Sequence, residues 1–230
     1  MGDIAEKIYS IAVDGPSGAG KSSLAKAIAA ELHILYVDTG AIYRTIGCYA
    51  RRKGVETADT EAVIALLPEV EIGMCYDAQG LQHMLLHGED VTEEIRLPEM
   101  SLYASAVSAI PEVRAFLLEM QRDFARKSSV IMDGRDIGTV VLPHADVKIF
   151  LKADVEVRAR RREIELQERG TPRPYKQVLE EMRQRDYNDT HRSAAPLRAA
   201  EDAVIVDTSD LDFRESEEKL LEIIREKVGL

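Results

Sequence analysis

Near the start of the chain, Gly15-Pro16-Ser17-Gly18-Ala19-Gly20-Lys21-Ser22 satisfies the spacing GxxxxGK[ST], behind an apolar run and ahead of a helical pattern. Glycines let a backbone curl until successive N–H groups point inward, and the N-terminus of the following helix adds partial positive charge at the same spot. The chemistry this suits is the cradling of a nucleoside triphosphate. Gly15 to Ser23 would hold the phosphates of ATP, Lys21 would span the terminal phosphates as a catalytic residue, and the Ser22 hydroxyl would ligate magnesium. Ser17 and Ser23 serve the turn and the helix start equally well. A glycine-rich turn with an incidental lysine is the plain alternative, but this pattern arises by chance in only roughly 1% of chains of this length. The loop leaves the acceptor open, because water, a switch partner and a small molecule are all compatible with it.

Arginines supply the second set of chemistry-bearing residues. Their fixed fork neutralises and orients phosphate, and Arg44 and Arg135 each follow a short apolar run, at the edge where open α/β sheets bind ligands. Others crowd between Arg158 and Arg198, which suggests a local anion pocket. Arg158, Arg161 and Arg162 are spaced so that all three can point to one side of a helix, although Glu163 and Glu165 beside them also fit a solvated charged face. Arg185 and Asp189 stand four apart and could be an intrahelical salt bridge. Arg135 and Asp136 could pair within a loop, and Arg114 could be a surface charge on an amphipathic helix. The histidines, His83 and His87 included, show no ligand spacing, and Cys48 and Cys75 read as core thiols.

These residues need a scaffold. Short apolar runs at Ile8 to Val13, Ile34 to Val37, Val130 to Met132, Val147 to Leu151 and Ala203 to Val206 are separated by helix-patterned stretches, as in a parallel sheet covered on both faces. The expected fold class is therefore α/β, a five-stranded parallel sheet wrapped by helices. Between Glu69 and Arg96 the pattern changes to a small antiparallel insertion with a turn at Asp77 to Gly80. Pro111 to Lys127 predicts a helix with Val113, Phe116, Leu117, Met120 and Phe124 along one side. Asp154 to Asp189 predicts two charged helices broken by Gly170-Thr171-Pro172-Arg173-Pro174, a mobile hairpin burying little.

The composition is that of a soluble globular chain: 230 residues, 45% hydrophobic. No apolar run reaches membrane-spanning length, and the acidic opening MGDIAEKIYSIAVDG leads into a strand instead of a signal core, so the cytoplasm is expected. A net charge of −11 argues against sequence-independent nucleic-acid binding.

Four further segments carry a resemblance. Asp38-Thr-Gly-Ala-Ile-Tyr-Arg44, Gly88-Glu-Asp-Val-Thr-Glu-Glu-Ile-Arg96, Met132-Asp-Gly-Arg-Asp-Ile-Gly-Thr-Val-Val141 and Arg185-Asp-Tyr-Asn-Asp-Thr-His-Arg192, followed by Ala195-Pro-Leu197, resemble the bacterial cytidylate kinases in the family's order along nearly the whole chain. Thr39 stands where many members have serine, and GKSS where many have GKGT. The resemblance implies transfer of the γ-phosphoryl group of ATP, with Mg²⁺, to CMP or dCMP. It places Arg44 and Arg135 on the CMP phosphate, Asp136, Ser105 and Arg114 on the cytosine, Arg192 on base or phosphate, Arg185 and Asp189 on the ribose, and Thr39 among the CMP contacts. Cytosine's amine needs an acceptor and its ring nitrogen and carbonyl need donors, which suits that set. Arg158 and Arg162 become catalytic arginines of a closing lid. One kinase unit over 1–230 is expected, with core segments 1–58, 111–153 and 193–230, an acceptor region 59–110 and a lid 154–192. A monomer is expected because no apolar stripe is left over. UMP or AMP as acceptor, a P-loop switch lacking an NKxD guanine reader, and a nucleic-acid-binding ATPase are the competing readings.

Overall fold

A computed structural model describes residues 8–230 except Gln79 and Pro98. The acidic opening 1–7, and Gln79 of the expected turn, lie outside the described residues.

The apolar runs form strands where read. β1 (Ser10–Asp14), β2 (Leu35–Asp38), β6 (Val130–Gly134), β7 (Val147–Lys152) and β8 (Val204–Asp207) make one sheet in the order β2-β6-β1-β7-β8, every pair parallel. β1 is central, and Ile11, Ala12 and Val13 are fully buried because helices cover both faces. One face packs α2 (Thr39–Arg52) and α5 (Pro111–Lys127) in a cluster that includes Ile42, Val113 and Leu117, and the other packs α1 (Lys21–Leu32) and α8 (Phe213–Val228) through Ile28, Leu220 and Ile224. The insertion is a second sheet, β3 (Ile72–Tyr76), β4 (Gln82–Leu86) and β5 (Glu89–Asp90), antiparallel throughout. α3 (Thr60–Leu66) precedes it and α4 (Met100–Val107) follows.

α6 (Val155–Glu168) and α7 (Tyr175–His191) form the hairpin, broken where glycine and two prolines interrupt the pattern. It buries more than the sequence suggests: Ala159, Leu166, Val178 and Met182 make a small core of their own, and Arg160 lies 3.9 Å from the centre of the Tyr175 ring.

Two packing expectations fail. Phe116 sits at the margin of the α5 stripe and is 42% exposed, while Val113 and Leu117 at its centre are fully buried. Cys48 is a buried α2 thiol as expected, but Cys75 is exposed, because alternate side chains of a two-faced antiparallel strand point to solvent. No helix among the described residues is long and apolar enough to cross a membrane.

Candidate active site

A cleft of about 1370 Å³ opens along the carboxyl edge of the five-stranded sheet, lined at one end by Ser17 to Ser23 and at the other by Thr39, Arg44, Ser105, Arg114, Arg135, Asp136, Arg185, Asp189 and Arg192. The loop at the first end turns out of β1. Gly15 has φ +148, and a Cβ there would stand 2.3 Å from the Leu151 carbonyl oxygen, so only glycine lets the chain pass β7. Lys21 folds back and donates to the Pro16 carbonyl (2.8 Å). Burial, reinforced by the charge of Arg135, pulls its ammonium down to about 7.

The Ser22 hydroxyl donates to Asp133 Oδ2 (2.8 Å), and the Tyr36 hydroxyl donates to Oδ1 of the same carboxylate (2.8 Å). Asp133 is buried near the end of β6, in register with Val13 of β1. Burial and the nearby Asp38 raise its pKa. Sequence reasoning quoted Asp133 without giving it a task. The signal was there: a carboxylate at the carboxyl edge closing the apolar run Val130 to Met132. Among the described residues no cluster of three or more His, Cys, Asp or Glu could hold a metal. A hydroxyl and one carboxylate nevertheless suit a hard, oxygen-seeking cation that takes its remaining ligands from phosphates and water.

At the acceptor end Asp38 caps α2, accepting from the Ala41 N–H (2.9 Å) and from Arg44 Nη2 (2.8 Å). Burial opposes its charge, but Arg44 and the Ala41 N–H together outweigh burial and hold the carboxyl below its usual range. Gln82 of β4 fixes the same corner, accepting from the Asp38 N–H (2.8 Å) and donating to its carbonyl (3.3 Å). The insertion thus braces the helix that carries Arg44. Thr39 donates its hydroxyl proton to the Asp133 carbonyl (2.7 Å), tying α2 to β6.

Neither simple pairing of the acceptor residues forms. Asp136 is engaged by Arg114 Nη2 and, at 3.5 Å, by Arg192 Nη2, while Arg135 Nε donates to Asp189 (2.7 Å). Among the described residues no ion pair joins Arg185 to Asp189 within 4.0 Å; α7 points Asp189 at Arg135 instead. Burial, overcome by Arg135 and then Arg185, leaves Asp189 below the ordinary carboxylate range. Arg114 is buried, not a surface charge, and lies 5.5 Å from the centre of the Tyr43 ring. Burial and the charge of Arg135 bring Arg185 down to about 10. Among the described residues, Arg44 Nε, Arg185 Nε and Arg192 Nη2 are buried guanidinium donors without a hydrogen-bond partner.

The lid arginines do not share a side. Arg158 is buried behind the loop, where Nη1 donates to the Ser17 carbonyl (3.0 Å) and Nη2 to Asp186 of α7 (2.6 Å). Arg161 donates to the Thr208 carbonyl (2.7 Å), and Arg162 pairs with Glu165 (2.7 Å). Arg161 and Arg162 line the cleft; Arg158 does not. Helical spacing fixes where side chains leave the backbone, but each long arginine then bends to the nearest acceptor.

The arrangement, a phosphate cradle facing a cluster of arginines with unfilled donors, suits transfer of a phosphoryl group between two anions. A family model described as cytidylate kinase matches residues 11–226. The cytidylate kinase of Caldicellulosiruptor saccharolyticus is 48% identical over 223 residues, 97% of this chain and 98% of that one. Those of Caldicellulosiruptor bescii (46% identical; 94% of this chain, 96% of that one) and Carboxydothermus hydrogenoformans (47% identical; 94% and 97%) align almost as fully. A match of that extent places the chain in the cytidylate kinase family.

Proposed function

We propose that this enzyme transfers the γ-phosphoryl group of ATP to CMP or dCMP, giving ADP and CDP or dCDP. The observation that carries the reading is the set of buried guanidinium donors that make no hydrogen bond, Arg44 Nε, Arg185 Nε and Arg192 Nη2, on arginines that line the same cleft as the phosphate loop. A buried donor left unpaired costs about 1 to 3 kcal/mol, more for a charged group, so a site that tolerates several is built for an anionic, oxygen-rich ligand.

In this reading the loop residues Gly15, Pro16, Ser17, Gly18, Ala19, Gly20, Lys21, Ser22 and Ser23 hold the ATP phosphates. Lys21 exchanges the Pro16 carbonyl for phosphate oxygens, which favour its charged form. Ser22 and Asp133 would hold magnesium, which when bound neutralises charge on the β- and γ-phosphates. Arg44 and Arg135 orient the CMP phosphate. Asp136, Ser105 and Arg114 read the base, Arg192 reaches base or phosphate, and Arg185 and Asp189 take the ribose, with Thr39 at the floor. An acceptor phosphate oxygen attacks the γ-phosphorus, a P–O bond forms as the bond to the bridging oxygen of ADP breaks, and no general base is needed because the acceptor is already a nucleophile.

The 154–192 hairpin closes as the lid, with Arg162 and Arg161 nearest the transferring group. Arg158 acts from behind, by bracing the loop against the hairpin. Arginine at the transition state of such a transfer is worth about 10³ to 10⁵ in rate. One chain carries both ends of the cleft, so the working unit is the monomer, which light scattering of the purified enzyme checks.

A coupled assay with ATP and magnesium, offering CMP, dCMP, UMP, AMP and no acceptor in parallel, tests the reading. Strong turnover with CMP and dCMP is the expected result, with Lys21→Ala abolishing it while leaving CMP binding largely intact. ATP consumption indifferent to the acceptor would overturn it.

A further inference from the structure

Ser108 has no task in the acceptor set above, and it is buried in the middle of it. It caps the C-terminus of α4 in a helical conformation (φ −71, ψ −12), its N–H still donating to the Ala104 carbonyl (3.0 Å). From there it offers two oxygens to two different arginines. Its carbonyl accepts from Arg114 Nη1 (3.2 Å), and its hydroxyl accepts from Arg192 Nη1 (3.2 Å). The hydroxyl proton goes to the Ser105 carbonyl (3.0 Å), which leaves a lone pair to face the guanidinium. The other jaw is Asp136, which meets the remaining ends of both arginines. Two like charges are thus parted and aimed by a carboxylate on one side and a serine on the other.

Arg192 is the more finely held of the two. Its Nε donates to the Ala195 carbonyl (2.8 Å), and Ala195 sits at φ +49, a left-handed conformation that a residue with a Cβ adopts at a cost. With Nε and Nη1 occupied, Nη2 alone lacks a hydrogen-bond partner, and the side chain is only 6% exposed. The hydroxyl of Ser108 and the strained carbonyl of Ala195 therefore fix the plane of the guanidinium and hold its Nη2 edge beside Asp136.

We infer that Ser108 is a positioning residue for acceptor recognition: its hydroxyl sets the orientation in which the Arg192 guanidinium, together with Asp136, meets the bound nucleoside monophosphate, and it does so without touching the donor end. The inference rests on the proposed CMP kinase activity. With the hydroxyl removed, Arg192 keeps Ala195 and Asp136 but loses the partner that stops its fork from rotating. The bound acceptor must then restrain the fork, which weakens CMP binding and leaves the transfer step unchanged once CMP is in place.

The test is steady-state kinetics on the full chain with Ser108→Ala and Ser108→Thr. Ser108→Ala is expected to raise the KM for CMP by about 10- to 100-fold, within the range of a hydrogen bond to a charged group, with kcat within about twofold and the KM for ATP unchanged. Ser108→Thr, which keeps the hydroxyl, is expected to restore most of the CMP affinity. An unchanged CMP KM in Ser108→Ala overturns the inference. So does a loss spread equally over kcat and both KM values, or a Thr variant as impaired as the Ala variant, either of which reports a merely structural serine. Wild-type turnover separates the two claims: no CMP turnover in the wild type defeats the parent reading, whereas normal turnover with an unaltered Ser108→Ala KM defeats this inference alone.

Discussion

One carboxylate, Asp136, balances two guanidinium groups in a part of the cleft where all three side chains are less than a tenth exposed. Replacing it with the isosteric amide keeps the shape and removes the counter-charge. Asp136→Asn should lower folding stability by about 3 kcal/mol, because breaking a buried pair strands its partners. It should also raise the KM for CMP by about 100-fold while that for ATP stays within about threefold. Urea midpoints and initial rates measured on one preparation give both numbers. A parallel loss in ATP affinity would mean that the two ends of the cleft are not independent at this residue. The resemblance proposed Asp136 as a base contact. Its double engagement with Arg114 and Arg192 was not readable, since the three residues come from a helix, a loop after a strand and the end of another helix.

Arg158 shows how an element can be tied to the loop it serves. The α6–α7 hairpin has its own small core of Ala159, Leu166, Val178 and Met182, and its buried Arg158 reaches the Ser17 carbonyl while held by Asp186. Asp186→Ala should cost about 2 to 4 kcal/mol, the lower figure allowing for the partial exposure of Asp186. Because the same guanidinium steadies Ser17, the KM for ATP should rise more than that for CMP, as parallel titrations of the two substrates would reveal. A variant with normal ATP kinetics would sever the proposed link between hairpin and loop. The hairpin's separate core also predicts that its amides exchange with solvent at lower opening free energy than those of β1 and β6, by hydrogen exchange in the free enzyme.

The molecule as a whole pays for its site in stability, and pH exposes the cost. Asp14, buried at the end of the central strand, accepts from the N–H groups of Ile137 and Gly138 (2.8 Å each), the start of a π-helical turn, Ile137–Val141, that follows Arg135 and Asp136. Burial raises its pKa from 3.8 to about 7 despite the two N–H donors. A group raised in the folded state contributes stability that is complete below its unfolded pKa and is lost as pH climbs through the folded one. The wild type should therefore lose up to roughly 4 kcal/mol from this group between pH 4 and pH 7. Asp14→Asn, unable to ionise, should lack that component, so the gap in denaturation free energy between the two proteins should narrow as pH rises from 5 to 8. A gap independent of pH would mean that Asp14 does not titrate in this range.

Strand runs, the GxxxxGK[ST] loop, the α5 span from Pro111 to Lys127 and the break at 170–174 were all legible, because each depends on local periodicity or on residues that restrict their own backbone. The residues expected on the acceptor side came from ordered motifs spread over the chain, and the fold gathers them along one cleft. Partner choice was beyond local reading. Asp189 takes Arg135 instead of Arg185, Asp133 gathers the hydroxyls of Ser22 and Tyr36, and Arg158 and Arg161 turn to Asp186 and to the Thr208 carbonyl. Such choices are made between elements distant in sequence, where a long charged side chain settles on whichever oxygen the tertiary packing brings within reach. For the same reason Ser108, unremarkable in the sequence, gains its role only when the end of α4 meets Arg192 across 84 residues of chain.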